Sequence, residues 1–370
     1  MLPIIRNWID RYFHNEEAVL LLILLIVSFC VLWTIGNDLG PALTALVLAF
    51  LMQGIVQALK AKGVPHILAV TSALLLLIGT MVLVLFLLIP VLWQQSTKLI
   101  SELPSMLAQG RELLLHLPDK YPSFINEVQI EQLILHVSQE LAQTGQNILS
   151  VSLSNLPILL IILLYFILVP LLVFFFLKDS KGMLGWVASF LPIKRPVMSE
   201  IWTEMNIQIA NYVRGKVTEI IVVGVISCIS FFILDLKFAL LLGIAVGLSV
   251  VIPYIGAVVV TLPVLLIGFF QWGFGTELAI LTVVYLVIQA LDGNVLVPVL
   301  FSEAVKLHPV AIILSILVFG GLWGVWGVFF AIPLATLVKA IIYAWPTRIH
   351  ATEAAESGRN QAEKTQAKSA

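Results

Sequence analysis

The residue best placed for chemistry is a single carboxylate, Asp292, which lies fourteen positions inside an apolar run at 278–301 with Gln289, Asn294 and Pro298 around it. An ionised side chain at that depth costs about 3 kcal/mol or more unless it faces protein or water. The acid beside two amides reads as a site for a substrate or a coupling ion, or as a carboxyl that carries a proton. The plainer alternative is a buried hydrogen bond that fixes helix packing, with Asn294 as glue. Two further groups break apolar runs instead of carrying charge. They are Pro253, Tyr254 and Gly256 in one, and Gly320, Gly321, Gly324 and Gly327 in the other. Such breaks unpair backbone groups, which lipid tolerates only against protein or a water-filled cavity. Asp292, Gln289, Asn294, Pro298, Pro253, Tyr254 and Gly256 therefore form the candidate binding set. Arg214, Glu219, His308 and the four glycines form a candidate gating set. For Arg214, Lys216 and Glu219 the blander reading is an anchor whose charges reach the headgroups. For His308, before Pro309, it is simply the start of a helix, with proton coupling as the alternative. Trp323 and Trp326 read as packing residues more than as a substrate cage.

Enzyme signatures are missing. No Gly-rich phosphate loop ends in Gly-Lys-Ser/Thr, no His-Glu-x-x-His or Gly-x-Ser-x-Gly occurs, and the acids of 94–154 show no paired arrangement. Cys30 and Cys228 sit in apolar runs and make neither a disulfide framework nor a metal site. No catalytic residue, metal or cofactor is assigned.

The elements that must position these residues follow from composition. With 60% hydrophobic and 11% charged residues in 370, the chain cannot build a water-facing surface. A mean hydropathy of +1.07 places it in the bilayer and excludes a cytosolic enzyme, a nucleic-acid partner and a secreted disulfide scaffold. The predicted fold class is an all-α polytopic membrane protein of about eight hydrophobic segments, at 18–35, 41–59, 64–93, 156–177, 217–234, 238–270, 278–301 and 310–345. The first reads as a retained anchor, since no small-residue cleavage site follows it. Fifteen of the 20 basic residues fall on one face, which predicts cytoplasmic termini. Segment 94–154 is expected to be a small helical extracytoplasmic unit. The loop 178–216 carries an amphipathic stretch at 199–214 that fits an interfacial helix, and the tail 346–370 has a disordered composition. The divisions are thus 1–93, 94–154, 155–177, 178–216, a core at 217–345, and 346–370.

Segments 238–270 and 310–345 hold 33 and 36 residues, too long for one crossing and short for two. Each follows an ordinary span, is broken in its middle and regains a proline afterwards, at Pro263 and Pro333. As re-entrant hairpins they would make two inverted repeats, the plan of many secondary transporters. As long kinked helices they would leave the termini unchanged and move only Lys306 across the membrane.

The runs Ala210 to Lys216, Gly247 to Gly256, Gln289 to Pro298, Leu307 to Pro309 and Gly320 to Leu334 resemble the autoinducer-2 exporter (AI-2E) family of permeases, in particular its PerM-type members. The resemblance spans nearly the whole chain to Trp345. It implies a multi-pass protein of a bacterial inner membrane that exports small solutes as a homo-oligomer and is not an enzyme. Members have been linked to autoinducer-2 release and to sodium/proton exchange, and many carry Glu where this chain has Asp292. The expected function is a secondary transporter that exports a small solute or exchanges H+ or Na+, with the lipid bilayer and the solute as partners. The alternative is a membrane scaffold that holds envelope or division partners through 94–154.

Overall fold

The computed structural model describes residues 16–36, 38–115, 132, 156–191, 195–301 and 307–344. Among them the protein is helical, with no strand. The order is α1 (Glu16–Ile35), α2 (Gly40–Ala61), α3 (His66–Leu83), α4 (Ile89–Leu115), α5 (Leu156–Lys178), α6 (Ser180–Ser189), α7 (Pro196–Ile233), α8 (Ala239–Ser249), α9 (Ile255–Trp272), α10 (Thr276–Leu291), α11 (Val297–Phe301), α12 (Pro309–Phe329) and α13 (Ala331–Ala344). Seven helical stretches are long and apolar enough to cross a membrane. Large apolar side chains such as Leu75, Leu76, Phe86, Leu87, Val258 and Val259 cover their outer faces, as a hydrocarbon solvent requires. The chain is thus an all-α multi-pass membrane protein. Most of 94–154, from residue 116 on, and the tail 345–370 lie outside the described residues, as does Lys306.

Proline sets the irregular turns. α3 runs into α4 through a π turn at Val84–Leu88, where Ile89 N–H donates to Val84 O, and Pro90 follows two residues after it. α10 runs into α11 through a second π turn at Asp292–Leu296, where Val297 N–H donates to Asp292 O, and Pro298 follows at the same offset. A proline ring collides with the carbonyl four residues back, and one wide turn takes up the collision without ending the helix.

Both overlong segments are helical hairpins. In the first, α8 and α9 are joined by a turn at 250–254 in which Tyr254 has φ +64°. Gly256 lies so close to the Ser249 carbonyl that no side chain fits there. In the second, the helix reverses within α12, where Trp323 (φ −129°, ψ 16°) and Gly324 (φ +58°, ψ −132°) leave helical geometry. Gly327 then lies against the Phe319 carbonyl, and a Cβ on Gly320 would stand 2.7 Å from Val328 Cγ2. The 11 residues of α8 span only about 16 Å, about half the hydrocarbon thickness.

The described chain divides into two compact units. One contains residues 1–43, 179–213 and 301–370. There Glu17 on α1 accepts a hydrogen bond from Met198 N (2.8 Å) and so serves the orphan donors at the start of α7. Pro333 has no N–H to offer the Phe329 carbonyl, and the Tyr212 hydroxyl donates to that carbonyl instead at 2.8 Å. The other unit contains residues 44–178 and 214–300. Its core joins Val223 and Phe231 of α7 to α8, α9 and α10, with Leu99 and Met106 of α4 packed on it. A second cluster joins α2, α3 and α5 through Ala45, Ala49, Ala73, Val169 and Val173.

α7 is one uninterrupted helix of 38 residues, so the amphipathic stretch at 199–214 and the span at 217–234 are continuous. No proline separates them. α7 meets α8 along glycine: Gly243 lies against Cys228, and Gly247 lies against Gly224 and the Ile220 carbonyl.

Candidate functional site

Among the described residues, the second unit gathers three charges inside the protein. Lys216 and Glu219, one turn apart on α7, are 3% and 2% exposed, and Lys216 Nζ stands 2.6 Å from Glu219 Oε2. The ammonium also donates to the Val250 carbonyl at 2.9 Å. Val250 closes α8, so Lys216 occupies the C-terminal end of that helix, where orphan carbonyls and the helix dipole favour a cation. Asp292, 8% exposed at the first position of the π turn, interacts electrostatically with both Lys216 and Glu219. Its Oδ1 is buried and accepts no hydrogen bond among the described residues.

Helix length places the cluster in depth. About 26 Å of α7 separates Lys216 from Ile233, and about 24 Å of α10 separates Thr276 from Asp292. Both distances fall just short of the roughly 30 Å hydrocarbon thickness. The charges therefore lie in the half of the spans away from Ile233 and Thr276, level with the tip of the first hairpin. Ionised together they carry one excess negative charge, and removing charges from water costs several kcal/mol per ion unless they are compensated. A proton or a monovalent cation would balance the set.

A polar lane leads away from Asp292 along α10. Gln289 Nε2 donates to the Tyr285 hydroxyl at 3.0 Å, and that hydroxyl is 3.0 Å from Thr261 Oγ1 and 3.3 Å from the Ala257 carbonyl of α9. Positions 285, 289 and 292 share one face of the helix, so Gln289 lies in line with Asp292.

The other candidates divide. Asn294 and Pro298 are exposed, and the Asn294 amide donates to the Ala290 carbonyl of its own helix at 2.8 Å. Pro253, Tyr254 and Gly256 build the turn whose first carbonyl Lys216 holds, with Tyr254 exposed. Arg214 is exposed on α7, whereas Glu219, two positions past Val217, is buried. His308 is exposed and caps α12, its Nδ1 accepting from Val310 N at 3.3 Å. Of the four glycines, Gly324 takes the reversal, Gly320 and Gly327 permit close packing, and Gly321 meets nothing. Lys216 was absent from both sequence-derived sets, and its i,i+3 spacing to Glu219 where α7 turns apolar was the signal for it. Tyr285 and Thr261 carried no signal beyond their apolar surroundings. Among the described residues no cluster of three His, Cys, Asp or Glu could hold a metal ion.

The family model described as "AI-2E family transporter" matches residues 22–347. The chain is 46% identical over 346 residues to the Escherichia coli K12 protein named "Putative permease PerM", covering 94% of this chain and 98% of that one. It is 28% identical over 309 residues to "Putative transport protein YrrI" of Bacillus subtilis, covering 82% and 85%. It is 26% identical over 332 residues to "AI-2 transport protein TqsA" of Escherichia coli K12, covering 88% and 91%. The matches run through the α7 charges, the first hairpin and Asp292, and the chain belongs to the AI-2E transporter family.

Proposed function

We propose that this permease is a secondary transporter of a bacterial inner membrane, with both termini in the cytoplasm, which exports a small solute in exchange for a monovalent cation, H+ or Na+, taken up at Asp292. The observation that supports it is the Asp292 carboxyl, buried with an unpartnered oxygen beside an ion pair that leaves the cluster one charge negative. A broken helix whose C-terminal carbonyls meet that cluster is the arrangement by which transporters hold cations at depth. The name of the TqsA relative makes autoinducer-2 the first solute to test. The coupling itself is tested without knowing the solute. In proteoliposomes loaded with Na+, external 22Na+ should exchange for internal Na+ through the wild type, since a cation-loaded antiporter can return with the same cation, and Asp292→Asn should abolish it. Saturable flux that is unchanged in Asp292→Asn would remove this carboxyl from the mechanism.

A further inference from the structure

The Lys216 ammonium stands where a bound cation would be best held. Glu219 lies 2.6 Å away, the Val250 carbonyl at the negative end of α8 lies 2.9 Å away, and Asp292 is close enough to interact with it. These are the oxygen ligands a hard monovalent cation selects. The Glu219 carboxylate and the helix-end carbonyl are thus directed at a tethered cation, while Asp292 interacts with it electrostatically and keeps a buried Oδ1 without a partner. Four methylenes join the ammonium to α7, so it can withdraw without unfolding anything.

We propose that Lys216 is a built-in competitor for the transported cation, which occupies the site when it is empty and is displaced when Na+ or a proton loads Asp292 and Glu219. A second positive charge among the same oxygens repels the ammonium and weakens its bond to Val250. Cation loading is thereby read out at the tip of the first hairpin. The same exchange keeps the cluster from ever standing with two uncompensated carboxylates in a low dielectric. It also gives the transporter a reason to release its ion, since the lysine returns to the vacated oxygens. This inference rests on the cation-coupled reading of Asp292 and adds the displaced group and its link to the hairpin.

The test uses the full-length protein in detergent, titrated with NaCl or LiCl against choline chloride at constant ionic strength. Retained 22Na+ and the cation-dependent rise in melting temperature are both read. Lys216→Met and Lys216→Gln should bind Na+ with a half-saturation at least about tenfold lower than wild type, since a like charge a few ångströms from the bound ion is gone. Lys216→Gln can still donate to Val250, so it covers the case in which Lys216→Met does not fold. Lys216→Arg keeps the charge and should bind no more tightly than wild type. Combining Lys216→Gln with Asp292→Asn should erase the gain. Flux through Lys216→Gln should fall although binding is tighter, because nothing expels the ion. Equal or weaker Na+ binding in both neutral variants would overturn the competitor role. If Asp292→Asn leaves wild-type flux untouched, the cation-coupled reading fails with it. If flux depends on Asp292 and the lysine variants gain nothing, only the competitor role fails.

Discussion

Substituting Gly247 by alanine tests how tightly the first hairpin is seated on α7. A methyl there would stand 2.7 Å from Gly224 Cα and 2.7 Å from the Ile220 carbonyl, both of them main chain. Carbon atoms pack at about 3.5–4.0 Å, so α7 and α8 would have to part by about 1 Å. Overpacking of this kind costs about 1–3 kcal/mol, and the upper end applies because no flexible side chain can yield. Alanine in place of a helical glycine returns about 1 kcal/mol, which leaves a net loss of about 2 kcal/mol. Gly224→Ala is the internal control, since its methyl would lie 3.5 Å from Gly247 Cα, an ordinary contact. That variant should be neutral or more stable by up to about 1 kcal/mol. Two glycines facing one another thus differ by roughly 3 kcal/mol in their response to the same methyl. Melting of the purified variants in one detergent measures the difference. Lifting α8 also draws Val250 from Lys216, so Asp292-dependent flux should fall in Gly247→Ala alone. A Gly247→Ala protein that melts at or above Gly224→Ala would refute the packing described for this seam.

Three further outcomes follow from the same geometry. Glu219→Ala removes the carboxylate 2.6 Å from the buried Lys216 ammonium and should cost about 3–5 kcal/mol, while Lys216→Met with Glu219→Leu should cost much less, read as the spacing of the three melting temperatures; equal losses would mean the pair is solvated. Pro298→Ala removes the cause of the second π turn; if the turn reverts to α-helix, α11 turns by about 100° relative to the α10 face that carries Asp292, and Asp292-dependent flux should fall with little change in melting temperature. Tyr285→Phe leaves the Gln289 amide without its acceptor and should cost about 1–3 kcal/mol; a melting temperature equal to wild type would show that water replaces the hydroxyl.

Where the chain must bend was legible, because bending needs particular residues. Pro253 with Gly256 and the run Gly320 to Gly327 each marked a break that could be a reversal or a kink, and glycine spacing alone could not tell a turn from a close approach. Only the fold assigns Gly324 to the first and Gly327 to the second. The burial of Asp292 was likewise visible as a count of apolar neighbours. Lys216 and Glu219 were harder, because a charged pair beside an amphipathic stretch resembles a headgroup anchor. What buries them is a carbonyl 34 residues away, delivered by a hairpin turn. The matching π turns were hidden for another reason: Pro90 and Pro298 advertise a disturbance, yet a kink, a break and a widened turn answer it equally well.

The glycine seam between α7 and α8 also limits how this protein can move. With Gly243 against Cys228 and Gly247 against the α7 main chain, neither helix can slide along the other or turn about its own axis without a collision. If the proposed transport opens the site to one side of the bilayer and then the other, the first arm of the hairpin rides with α7 as a single body. Lys216 consequently stays within reach of Val250 through the whole excursion, and the moving parts must be sought on the far side of Asp292.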